Sequence, residues 1–124
     1  MRPRIRLFVG VTLVAACVPT GPSPGTGLTG VVMRGPVTPV CRIDVPCDAP
    51  FSAGFTVEQG SRRVSEFKSD VAGQFTVFLA PGTYTIVPGA DAPIISPSRQ
   101  SKTATVLDNG ALTTVQLMFD TGIR

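Results

Sequence analysis

Residues 69–86 read SDVAGQFTVFLAPGTYTI, and the fold class can be inferred from this stretch. Apolar residues take every second position on both sides of a Pro-Gly pair, which is the pattern of β-strands with one buried face. The polar start predicts a turn that Asp70 caps with its side chain and in which Gly73 supplies a positive φ. Pro81-Gly82 predicts a chain reversal between two paired strands. The residues predicted to face inward are Phe75, Val77, Leu79, Tyr84 and Ile86.

The same alternation recurs between turn residues along the rest of the chain. Strands are predicted at residues 28–34, 53–58, 63–68, 74–79, 83–87, 102–107 and 111–119. Phe55, Val57, Val115, Leu117 and Phe119 are predicted to join the core, with Thr76, Thr83, Thr85 and Thr113 on the opposite faces. Asn109-Gly110 between two apolar runs predicts a hairpin. Short strands without a helical stripe predict an all-β, seven-stranded antiparallel Greek-key β-sandwich, with an up-and-down barrel as the alternative.

The segment at residues 69–86 resembles the core motif of carboxypeptidase regulatory-like domains. The family pattern is Thr/Ser-Asp-x-x-Gly-x-Phe/Tyr, followed a few residues later by Leu-x-Pro-Gly-x-Tyr. Gly30-Val31-Val32, followed by Gly35-Pro36-Val37, is similar to the opening strand of the family. The resemblance implies a transthyretin-like (prealbumin-like) β-sandwich, which we expect to occupy residues 28–124.

The N-terminus has the features of an export signal. Arg2, Arg4 and Arg6 precede an apolar run of about 10 residues, which is too short to cross a bilayer. Val14-Ala15-Ala16-Cys17 resembles the bacterial lipobox, which implies that residues 1–16 are removed and that Cys17 carries diacylglycerol and an acyl chain such as palmitate. Residues 17–27 are predicted to be a Pro/Gly-rich tether. The protein would then be lipid-anchored at the cell membrane or outer membrane, outside the cytoplasm. A plain signal peptide with an incidental thiol is the alternative.

Charge and cysteine usage agree with export. The chain has 11 Lys and Arg against 8 Asp and Glu, and three of the arginines lie in the predicted signal peptide, so the mature charge is close to zero. We therefore expect no nucleic-acid partner. Cys41 and Cys47 form an even pair in an exported chain, which predicts a disulfide. A metal site is the alternative, but it needs further ligands and the chain contains no histidine.

No catalytic residue, metal ligand or cofactor site is predicted. Histidine-dependent triads are excluded because histidine is absent. Lys68 with Asp70 or with Glu66 could form a catalytic pair, but charges at alternate strand positions are typical of a solvated face, and Arg62-Arg63 is typical of a surface turn. Phe51 and Phe78 are the candidates for exposed ligand-binding aromatics. The predicted function is a non-catalytic binding module for an envelope protein partner, glycan or cell-wall component; the alternative is a spacer without a specific ligand.

Overall fold

The computed structural model describes residues 25–124, so the predicted signal peptide, Cys17 and most of the tether lie outside the described residues. The described chain is all-β, apart from one short 3-10 turn at Pro97–Arg99. Its strands are β1 (Gly27–Gly35), β2 (Ala49–Pro50), β3 (Gly54–Gln59), β4 (Arg62–Lys68), β5 (Gln74–Phe78), β6 (Gly82–Pro88), β7 (Lys102–Val106) and β8 (Leu112–Asp120). Each predicted strand is present near its predicted position. β2 is an addition, because it lies in the proline-rich segment between the first two predicted strands.

The strands form two four-stranded sheets that pack face to face, as in a β-sandwich. In the first sheet, β1 is central: β5 and β2 pair with one edge and β8 with the other. The second sheet has the order β4-β3-β6-β7. The expectation of a wholly antiparallel fold is wrong at one pair, because β1 and β8 run parallel from Gly27↔Leu112 to Gly35↔Asp120.

The connections explain this parallel pair. β7 lies in the second sheet and β8 in the first, so Asn109-Gly110 joins two sheets and the predicted hairpin is wrong. The turn itself is present: the Asn109 side-chain oxygen accepts a hydrogen bond from the Ala111 N–H at 3.0 Å. The reversal at residues 79–81 also crosses between sheets, since β5 and β6 do not pair. β7 ends at the same end of the sandwich at which β1 starts, and the chain then enters the first sheet. β8 therefore starts beside the start of β1 and runs parallel to it.

The two inner faces enclose a single apolar core. Nine of the ten predicted core residues are buried, and Val115 is half-buried against them. Thr76 and Thr83 are exposed and Thr85 is half-buried, as one-sided burial requires. Thr113 was assigned to the wrong face: it is half-buried and alternates with Thr114, which is exposed like Gln116. The register of β8 therefore places Thr113 on the side of Val115, Leu117 and Phe119.

The turn before β5 forms as the sequence predicts. The carboxylate Oδ1 of Asp70 accepts hydrogen bonds from the N–H groups of Ala72 and Gln74, both at 2.9 Å. Gly73 has φ +73°, and a Cβ at this position would lie 2.4 Å from the Val32 carbonyl oxygen. Both its conformation and its close approach to β1 therefore require glycine.

The tether boundary lies earlier than predicted. Thr26 is buried, and its hydroxyl donates to the Leu79 carbonyl at 2.8 Å. Gly27 begins β1, and a Cβ on it would lie 2.0 Å from the Val77 carbonyl oxygen. Residues 26 and 27 are therefore part of the folded sandwich, because strand pairing and close backbone packing hold them there.

The orientation of β1 defines two ends of the sandwich. We call the end at the start of β1 the near pole; it contains residues 25–26, 79–81 and 107–111. The far pole, at the end of β1, contains residues 36–48, 89–101 and 121–124. The nine-residue strand between them separates the poles by roughly 25–30 Å, at about 3.3 Å per residue.

Candidate functional site

A disulfide-closed loop at residues 37–48 projects from the far pole; we call it the disulfide loop. The predicted Cys41–Cys47 disulfide is confirmed, with the two Cα atoms 5.5 Å apart. At the base of the loop, the Val37 N–H donates to the Cys47 carbonyl at 2.7 Å. Within it, the Thr38 hydroxyl donates to the Val40 carbonyl at 2.9 Å. The loop therefore has its own cross-link and hydrogen bonds, independent of the sandwich core.

Aliphatic side chains of this loop point into solvent. Ile43 is 92 % exposed, Val40 72 % and Val45 57 %. Beside them lies a depression of about 470 Å³, lined by the loop itself, including Thr38, Pro39, Arg42 and Pro46. Complete burial of an aliphatic side chain of this size is worth about 1.5–3 kcal/mol, and folding leaves most of that gain unused here. A cluster of exposed aliphatic residues on a constrained loop is a candidate contact surface.

Sequence reasoning identified the cysteines of this loop but missed its exposed aliphatic residues. A signal was present: Cys-Arg-Ile-Asp-Val-Pro-Cys places Ile43 and Val45 in a loop too short to fold back onto a core. The structure places neither residue in the core cluster.

The two aromatic candidates do not form a site together. Phe51 is only 5 % exposed, so its assignment as an exposed ligand-binding residue is wrong. Its ring packs edge-on against Phe119, with centroids 5.9 Å apart, and lies 6.1 Å from Phe55. The physical reason is that β2 pairs with β1, which turns the following residue into the core. Phe78 is 53 % exposed, but it lies toward the near pole, opposite Gly27 in the register.

Two of the charged candidates, Asp70 and Glu66, are held by contacts that do not involve Lys68. Asp70 is occupied as the turn cap, and Glu66 forms an ion pair with Arg63 of the same strand, not with Lys68. Lys68 and Asp70 both line a second, more polar depression of about 570 Å³, with Thr29 and Gln74. Since the Asp70 carboxylate already accepts two backbone N–H groups, it is positioned to order the turn.

Hydrogen bonds order the end of β8 at the far pole. Gln100 donates to the carbonyls of Ile95 at 2.6 Å and Asp120 at 2.8 Å, and its oxygen accepts from the Asp120 N–H at 2.7 Å. A hydrogen bond from Arg124, supported by the Gly122 N–H, holds the pKa of Asp120 below its usual value. These contacts tie residues 89–101 to the end of β8, so the far pole outside the disulfide loop is also ordered.

Further features bear on cofactors, membranes and relatives. Within residues 25–124, no three His, Cys, Asp or Glu side chains group in a way that could hold a metal ion. No helix in this same part of the chain is long and apolar enough to cross a membrane.

Comparison of the chain with protein-family models and with curated proteins finds no match.

Proposed function

We propose that the protein is a lipid-anchored envelope lipoprotein whose sandwich presents the disulfide loop to a protein partner, without catalysis. The observation that carries the proposal is the exposure of Val40, Ile43 and Val45 on a loop closed by a disulfide. Folding does not require these side chains to be apolar. A partner that buried them would gain the hydrophobic free energy that the isolated domain leaves unused.

The position of the loop supports this proposal. The proposed lipid on Cys17 precedes β1, which begins at the near pole. The disulfide loop follows the end of β1 and therefore lies at the opposite pole. A domain tethered through its near pole directs its far pole away from the membrane, where a partner can reach it.

The fold assignment within this proposal is a transthyretin-like Greek-key sandwich. It is supported by the motif at residues 69–86, whose Asp70 and Gly73 build the turn before β5. It is also supported by the repeated crossing of the chain between sheets, from β4 to β5, β5 to β6 and β7 to β8. Crossings of this kind are typical of Greek-key sandwiches.

A protein partner fits the surface better than a glycan or a cell-wall polymer. The exposed side chains of the loop are aliphatic, and interface cores between proteins are apolar with a polar rim. Phe51, which could have provided an aromatic platform for a sugar ring, is buried. Arg42 and Asp44 flank Ile43 and supply charges for a rim.

The anchor is tested by membrane fractionation and intact-mass measurement of the native protein and of Cys17→Ala. We expect an acyl-modified Cys17 in the membrane fraction, and loss of modification with accumulation of precursor or release in the variant. The double variant Cys41→Ser/Cys47→Ser is the control, since it removes the other thiols and should remain in membranes. An unmodified Cys17 in the native protein would refute the anchor.

The binding surface is tested by placing a photo-crosslinking residue at position 43 of the full chain in its host. We expect a discrete cross-linked protein that disappears when Val40 and Val45 are both changed to Ser. Thr103 on β7, which is also exposed but lies outside the disulfide loop, is the matched control position. Failure of position 43 to give a discrete product would refute the partner and favour the spacer alternative.

A further inference from the structure

Two strands of the sandwich carry a cation where their alternation calls for a core residue. On β1, Leu28 and Val32 face inward and are fully buried, and the next position on the same face at the far pole is Arg34. On β7, Val106 and Ala104 are buried and the next inward position is Lys102. Both cations are half-buried. They lie in opposite sheets, at the far-pole end of their strands.

Both cations are neighbours of Phe119. The Lys102 ammonium nitrogen lies 5.4 Å from the centroid of the Phe119 ring. Arg34 is directly opposite Phe119 in the parallel β1–β8 register, and both side chains occupy inward positions. Both strands therefore place a cation next to Phe119 at the far-pole end of the core.

Neither cation forms an ion pair with a described residue. Among residues 25–124 the ion pairs join Arg63 to Glu66 and Arg124 to Asp120, and neither Arg34 nor Lys102 takes part. Arg34 Nη1 donates to the Pro93 carbonyl at a long 3.4 Å, and its Nε is buried with no acceptor. A buried donor without a partner is costly, more so when it carries charge.

We infer that Arg34 and Lys102 form a binding site for a carboxylate group. A carboxylate matches the planar guanidinium edge and would supply the acceptor that Arg34 Nε lacks. It would also be attracted by the Lys102 ammonium beside Phe119. A singly charged carboxylate is favoured over a phosphate dianion because Arg34 is half-buried, and the desolvation cost rises steeply with charge. Because Nε is buried in the free protein, the Arg34 side chain must turn toward solvent to bind the carboxylate, and this movement breaks the long bond from Nη1 to Pro93.

This inference deepens the proposed function and rests on it for the source of the carboxylate. The site lies at the same pole as the disulfide loop, so an acidic side chain of the bound protein could occupy it. A uronic acid of an envelope glycan offers the same chemistry. The local site does not depend on which of the two supplies the group.

A structural role for Arg34 is the competing explanation, since its aliphatic stem could cover the core while the charge stays hydrated. The two roles predict different responses of the Arg34 Nε–H group to an added anion. A residue that only packs would show no saturable response to an anion, whereas a binding residue must change the environment of its Nε–H.

The test follows the Arg34 Nε–H resonance by NMR in the full chain, labelled with ¹⁵N-arginine and assigned with Arg34→Lys. The probes are N-acetylglutamic acid α-methylamide, glucuronate and inorganic phosphate at constant ionic strength. We expect saturation with the blocked glutamate, affinity weakened about fivefold in Lys102→Gln, and no change of affinity in the exposed control Arg62→Gln. A fivefold loss corresponds to about 1 kcal/mol.

Each other outcome is informative. No saturable shift with any probe, or a preference for phosphate, would overturn the carboxylate site. Saturation by glucuronate alone would keep the site and overturn a protein as its source. Absence of the cross-link at position 43 with a saturable Arg34 response would refute the proposed partner surface but not this site. A cross-link at position 43 without a saturable Arg34 response would refute this site alone.

Discussion

The inner faces of the sandwich and the disulfide loop contain the same kinds of residue in opposite environments. Ile86 on β6 is 0 % exposed, whereas Ile43 in the loop is 92 % exposed. In the sandwich, apolar residues at every second position stabilise the fold by leaving water. In the loop, a cross-link and local hydrogen bonds hold the backbone while the apolar side chains remain in water. The apolar side chains that stabilise the fold and those that are available for recognition therefore lie in separate regions.

The largest effect is expected in the core. Phe75→Ala should reduce the free energy of unfolding by about 3–5 kcal/mol, because the ring is buried and would leave a cavity. The ring also stacks on Phe67, with centroids 4.5 Å apart. Thr76→Ala, next in sequence but on the exposed face, should cost less than about 1 kcal/mol. Urea unfolding measures both changes, and equal losses would show that the assigned faces of β5 are wrong.

The disulfide should have an intermediate effect. On the chain-entropy model, replacing both cysteines with serine should cost about 2–3 kcal/mol, because the closed loop is short. The β-sheet signal in circular dichroism should be retained, since the loop makes no part of the core cluster. Alkylation of the native protein without reduction should label neither Cys41 nor Cys47. Loss of the sheet signal on reduction would contradict the separation of loop and core.

The sequence was sufficient to predict the strands and their buried faces, because alternation is a local property of each strand. It was not sufficient to predict the pairing. Asn109-Gly110 does form a turn, but which strands a turn joins depends on the sheet that each strand enters, and this is decided by tertiary packing. The parallel β1–β8 pair was missed for the same reason. Phe51 was misplaced because the two-residue strand that turns it inward is too short to show alternation.

The candidate site was only partly predictable. The cysteine pair was found because export and an even count favour a disulfide. The exposure of Ile43 was missed because an apolar residue in a loop gives no local sign of the side on which it lies. Arg34 and Lys102 were missed because an alternating strand predicts the direction of a side chain, while its balancing partners come from distant parts of the chain.

The smallest and sharpest test makes one substitution in both environments. Ile86→Val removes one methyl group from a fully buried position and should cost about 0.5–1.5 kcal/mol. Ile43→Val removes the same methyl group from an exposed position, and the free energy of unfolding should change by less than about 0.5 kcal/mol. The side chains before and after substitution are identical at the two sites, so intrinsic differences between isoleucine and valine largely cancel. Paired urea titrations of the two variants measure the difference. Equal destabilisation would mean that Ile43 is buried in the free protein, and the disulfide loop would then lose its exposed apolar surface.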